Sequence, residues 1–92
     1  MPNVRGKSLK AIVRDVAEGY IAVNPIFLKP FDAETLRVFY GEMSKVQVEI
    51  RTEKFPAHDV AAIRNRNLRL QRLYSAIMII RNYARERRIL LT

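Results

Sequence analysis

His58, the only histidine of the chain, stands beside Asp59, and an imidazole next to a carboxylate could do general acid–base work. The rest of what such chemistry requires is missing. There is no cysteine, which excludes thiolate nucleophiles, disulfides and thiolate metal sites. No second histidine or tight carboxylate cluster completes a metal set. Gly6, Gly19 and Gly41 are isolated rather than gathered into a phosphate-cradling loop. Glu42, Glu49, Glu53 and Asp59 are spread along one stretch, where they read as a solvated face or as partners for Arg64 and Arg66. His58 therefore reads as a surface residue at a helix end, and the chain as a non-enzyme with no cofactor and no metal.

Cation chemistry is better represented. The formal charge is +8, and residues 60–92 carry nearly all of the excess, with eight arginines, no lysine and one acid, Glu86. Guanidinium groups fork onto carboxylates or phosphates and tolerate interfaces better than ammonium groups do, so an acidic partner, protein or nucleic acid, is implied. Arg64, Arg66, Arg69 and Arg72 form the densest set, a basic interface or DNA contact. Their angles on a helical wheel are scattered, whereas a helix dedicated to reading a DNA groove would gather them on one face.

Those arginines sit in the stretch around which the chain is organised. Residues 57–91 contain no Gly and no Pro, and Ile63, Leu70, Leu73, Tyr74, Ile77, Ile80, Ala84 and Leu91 recur at helical steps. Pro56 precedes the run, as suits a helix start. A second apolar set, Leu68, Ile79, Tyr83 and Leu90, lies on the back of this stripe, and residues 76–80 are apolar throughout. A segment apolar all round must be buried, either inside the chain's own bundle or against a partner. Few residues remain to cover both sides, which favours a partner and makes Leu68, Ile79, Tyr83 and Leu90 the candidate interface.

Upstream, Ser8 suits an N-cap for a stripe of Leu9, Ile12, Val13, Val16 and Tyr20, giving a helix over about 8–22 that Asn24-Pro25 must end. Residues 24–31 (NPIFLKPF) read as a linker, either pinned onto the core by its bulky side chains or offered to a partner's groove. Asp32 caps a second helix over about 33–52, with Leu36, Phe39, Tyr40, Met43, Val46 and Ile50 facing inward. A short turn then implies an antiparallel hairpin with the long helix at about 57–90. Ile50 and Val46 should lie near Val60 and Ile63, and Leu36 and Phe39 near Leu70, Leu73 and Tyr74. The expected fold is an all-α, three-helix single domain spanning 1–92. No stretch of about twenty apolar residues could span a membrane, and the absence of cysteine favours an intracellular setting.

Two segments resemble a known family. Phe31-Asp32-Ala33-Glu34-Thr35-Leu36-Arg37 with Glu42-Met43, followed by Ile63-Arg64-Asn65-Arg66 with Leu73-Tyr74 and Arg81, is similar to the α-helical domain of the Psf subunits of the GINS complex, the first of them best. The family's second basic position after Arg66 is Asn67 here, and an expected tyrosine is Arg72. The small β domain that usually accompanies the helical domain has no room in 92 residues. The resemblance implies a scaffold subunit without an active site, packed by its long helix against sister subunits and supporting the MCM helicase in DNA replication. It would act in the nucleus of a eukaryote or the cytoplasm of an archaeon. A hetero-oligomer is implied. A small basic DNA-binding protein and a self-associating helical dimer are the alternatives. On this reading, exchanging Ile79 and Tyr83 for glutamate abolishes partner capture and leaves helicity largely intact.

Overall fold

The computed structural model describes residues 3–4, 7–54 and 58–91. The fold is helical, with four helices among the described residues where three are expected and a short N-terminal ladder, and a long C-terminal helix packs against the others. A two-residue antiparallel ladder, β1 (Asn3–Val4) with β2 (Lys7–Ser8), precedes α1 (Leu9–Ala17). A single helical turn, α2 (Pro25–Leu28), leads to α3 (Ala33–Arg51) and then to α4 (Val60–Glu86).

Local chemistry sets most of the boundaries. The Ala11 amide donates to Ser8 Oγ at 3.2 Å, the Thr35 amide to Asp32 Oδ1 at 2.7 Å and the Ala62 amide to Asp59 Oδ1 at 2.9 Å, each satisfying an orphan N–H of a first turn. Asp59 is thus the cap of the long helix. The proposed start at Pro56 falls among residues 55–57, outside the described residues. The linker expected at 24–31 contains a helical turn because Asn24-Pro25 acts as a cap followed by N1. The Phe27 amide donates to Asn24 Oδ1 at 2.8 Å, and proline has no N–H to leave unpaired there.

The first helix is shorter than its periodicity suggests. It ends at Ala17 rather than near 22, because Gly19 adopts φ 85°. The Tyr20 amide then reaches back to the Asp15 carbonyl at 2.9 Å and the Gly19 amide to that of Val16 at 3.1 Å, a Schellman closure. The same motif ends α4: the Ile89 amide donates to Ala84 O at 2.8 Å and the Arg88 amide to Arg85 O at 3.1 Å. Here the left-handed position is taken by Arg88, at φ 58°.

The core is one cluster. Leu9, Ile12, Val13 and Val16 of α1 meet Leu36, Phe39, Met43, Val46 and Ile50 of α3 and Leu73, Ala76, Ile77, Ile80, Tyr83 and Ala84 of α4. The connector is pinned onto it: Val23, Leu28 and Phe31 are buried, and the rings of Phe27, Phe31 and Phe39 stack in a triangle with centroids 5.2–6.2 Å apart.

Two stability predictions follow from the caps. Gly19→Ala should cost about 1–2 kcal/mol in chemical denaturation, because alanine resists a positive φ and its Cβ would lie 3.1 Å from Arg72 Cζ. Hydrogen bonds from the side chain and backbone of Thr35 hold the Asp32 carboxyl below its usual value. A depressed carboxyl stabilises the fold fully above its unfolded value, near pH ~4, and ceases to as pH falls through the folded one. Asp32→Ala should therefore lower the thermal midpoint at neutral pH, with the gap to wild type narrowing as the pH drops below about 4.

Candidate interaction surface

Three contacts mark how far α4 runs past its neighbour. Arg69 binds Glu53 just beyond the C-terminal end of α3, its guanidinium donating to both carboxylate oxygens at 3.1 and 2.9 Å. Arg81 Nε donates to the Tyr40 hydroxyl at 3.0 Å, and Arg37 Nε to the Leu90 carbonyl at 2.6 Å. The end of α3 thus lies opposite Arg69, so the turns of α4 before it pass beyond α3 by roughly 13 Å at ~1.5 Å per residue. The expected pairing of Ile50 with Val60 and Ile63 is corrected by nearly three helical turns.

Burial follows this register. No described side chain from 60 to 72 is buried; Val60 and Leu68 are exposed, and Ile63 and Leu70 are half-buried. From Leu73 onward the inward stripe is continuous. Tyr74, expected in the core, is 60% exposed, because it lies roughly 120° around the helix from the stripe's centre at ~100° per residue. Met78 is also exposed, so residues 76–80 are not buried all round.

The proposed back face of α4 divides. Leu68 is exposed on α4, and Leu90 is exposed beyond its end, since the helix stops at Glu86 rather than near 90, while Ile79 is half-buried and Tyr83 is 6% exposed. Tyr83 is therefore no partner-facing residue: it belongs to the chain's own core, and the Arg87 guanidinium stacks 3.7 Å above its ring centroid. Ile79 borders a shallow recess together with Val16, Ile21 and Val23. The middle of the second stripe is covered by α1, by the chain that follows it and by α2, which lies on α4. The cover from residues after Ala17 was expected as the last turns of a helix to about 22, and that from 24–31 as a connector pinned onto the core.

The four arginines also divide. Arg72 Nη1 donates to the Ala17 carbonyl at 3.0 Å, placing a positive charge at the C-terminal end of α1, where the helix dipole favours it. Arg69 pairs with Glu53, and its side chain is only 15% exposed. Both are structural ties. Arg66 is half-buried, and Arg64 is exposed on the turns beyond α3. Glu53, considered as a partner for Arg64 or Arg66, serves Arg69 instead. Glu49 takes Lys10 and Arg14 of α1 at 3.2 and 3.3 Å. Glu42, expected on a solvated face, is buried: it lies between Phe39 and Val46 on the inward side of α3, with its carboxylate 3.5 Å from Lys45 Nζ. His58 is exposed beside the cap residue Asp59.

The residues gathered on uncovered surface are thus Val60, Leu68 and Arg64, with half-buried Ile63 and Arg66, on the first turns of α4. A separate group at the other end of the helix, Arg81, Arg85 and Arg88 around Leu90, was not recognised as a site. Its only sequence signal is the recurrence of arginine at steps of four and three. Among the described residues, no three His, Cys, Asp or Glu side chains are placed to hold a metal, and no helix is long and apolar enough to cross a membrane. No protein-family model, curated protein or solved structure matches the chain.

The split of the back face changes what substitutions should do. Tyr83→Glu should destabilise the chain by about 3 kcal/mol or more, since it removes a core ring and buries a carboxylate. Leu68→Glu should stay within about 0.5 kcal/mol of wild type in the same denaturation experiment. Arg72→Ala should cost about 1 kcal/mol through the lost carbonyl tie, and that cost should persist in high salt better than an exposed ion pair would.

Proposed function

We propose that the chain is a non-catalytic assembly subunit of a GINS-like replication complex supporting the MCM helicase. The observation that carries this reading is the uncovered start of α4. Val60, Ile63 and Leu68 keep apolar surface there that the chain's own helices do not bury, beside the exposed guanidinium of Arg64. An apolar patch flanked by charge is the makeup of a protein interface rather than of a solvated helix end. The Ile63-Arg64-Asn65-Arg66 segment that resembles the long helix of the Psf subunits falls on these same turns.

In this role the helical domain acts as a rigid block. Leu73 to Ala84 lock α4 into its own bundle, and the first turns are presented at the end of that bundle to a neighbouring subunit's helices. Sister subunits and helicase components are the partners, and the setting is the nucleus of a eukaryote or the cytoplasm of an archaeon. Direct DNA binding has less support, because Arg69 and Arg72 spend their charge on Glu53 and on the Ala17 carbonyl.

Co-expression with candidate GINS-like sister subunits, followed by size-exclusion chromatography, tests the proposal. Wild type is expected to elute in a stoichiometric complex. Val60→Glu combined with Leu68→Glu is expected to elute alone with an unchanged thermal midpoint. Wild type that never associates, or a double variant that associates as well as wild type, contradicts it.

A further inference from the structure

At the opposite end of α4 lies a second surface, independent of the first turns of that helix. The Schellman closure at Arg88 turns the chain back, and the Arg37 guanidinium holds the Leu90 carbonyl at 2.6 Å, so the tail is fastened beside the N-terminal half of α3. This leaves an open cleft of about 500 Å³. Its apolar surface comes from Tyr40, Ile89, Leu90 and Leu91, with Leu90 76% exposed. Arg81, Arg85 and Arg88 also line it, and none of its described lining residues is an acid.

The charge balance sets this cleft apart. The recess between α1 and α3 also holds arginines, Arg14 and Arg69, but Glu18, Glu49 and Glu53 line it too, so its charge is matched internally. Among the described residues, Arg81 and Arg85 donate to neutral oxygens, those of Tyr40 and Asn82, and Arg88 has no ion-pair partner. Three guanidinium groups of like sign around exposed leucine surface repel one another, and an incoming anion with apolar side chains relieves both the repulsion and the exposure. A bare polyphosphate would satisfy the cations and leave Leu90 and Leu91 wet. The Arg37 tie fixes the cleft in advance, so an occupant has little ordering cost to meet.

We propose that this cleft is a docking site for an acidic, amphipathic segment of a partner protein, in which carboxylates flank bulky apolar side chains. The carboxylates pair with Arg81, Arg85 and Arg88, guanidinium forks that suit bidentate contact, and the apolar side chains cover Leu90 and Leu91.

The test is fluorescence anisotropy on the full chain with three labelled probes. One is a short synthetic peptide of Glu and Asp interleaved with Leu and Phe at helical spacing. The second is the same peptide with each Leu and Phe replaced by Ser, and the third is a single-stranded DNA oligonucleotide of similar charge. The first peptide should bind roughly tenfold or more tightly than the other two. Arg85→Glu with Arg88→Glu should weaken it by roughly tenfold or more. Leu90→Ser, at an exposed position outside the helix, should weaken it without changing the thermal midpoint, which keeps the test decisive if the charge reversal disturbs folding. Equal binding of the serine peptide, tighter binding of DNA, or affinity indifferent to both sets of variants would overturn the proposal. So would self-association in sedimentation that the arginine reversals abolish, since a second copy would then be the occupant. Val60→Glu with Leu68→Glu should leave peptide binding intact, which separates this site from the subunit interface.

Discussion

The structure depends on where along α4 its companions stop. Three contacts mark that register: Arg69 with Glu53, Arg81 with Tyr40 and Arg37 with the Leu90 carbonyl. They align α3 with the C-terminal two-thirds of α4, where Leu73, Ile77, Ile80 and Ala84 supply a stripe that α1 and α3 can bury. The register leaves the first turns of the helix without a covering helix. A shift of three turns the other way would hide Val60 and Ile63 and strip cover from Ala84.

The second constraint is electrostatic and local. Arg72 ties α1 to α4 by donating to the Ala17 carbonyl, close beside Gly19, where a Cβ would lie 3.1 Å from its Cζ and push the guanidinium aside. The positive φ at Gly19 ends α1 early and redirects the chain, so that Val23, Leu28 and Phe31 reach the core. One glycine and one arginine thereby bring cover from within to the middle of the back of α4. Tyr83 is buried and Ile79 half-buried as a consequence.

Much of the fold could be read from residue types and spacing. Leu9, Ile12, Val13 and Val16 of α1, Leu36, Phe39, Met43, Val46 and Ile50 of α3, and the caps Ser8 and Asp32 follow from periodicity and first-turn chemistry, all local properties; Tyr20, expected on the same stripe, is 79% exposed because the Gly19 turn takes it out of the helix. Asn24-Pro25 carried its signal openly but in two senses, since the pair can stop one helix or start another. Gly19 likewise offered a C-terminal signal that the longer apolar pattern through Tyr20 masked. Register was not legible. Periodicity tells which side of a helix faces inward, not how far along its axis a neighbour extends, and that distance is set by side chains remote in sequence, such as Glu53 and Arg69. The same holds for the arginines: Arg64, Arg66, Arg69 and Arg72 look alike as letters, and their separation into surface and structural groups needs the positions of Glu53 and Ala17.

An interface at the start of α4 requires those turns to lie open in the free chain. Hydrogen–deuterium exchange along α4 measures this directly, because amides of an uncovered helix end exchange through local opening, whereas those facing a core await larger unfolding. The amides of 63–68 should exchange orders of magnitude faster than those of 73–84, with the step falling between Arg69 and Leu73. Uniform, core-like protection from 63 to 84 in the isolated chain would contradict the account.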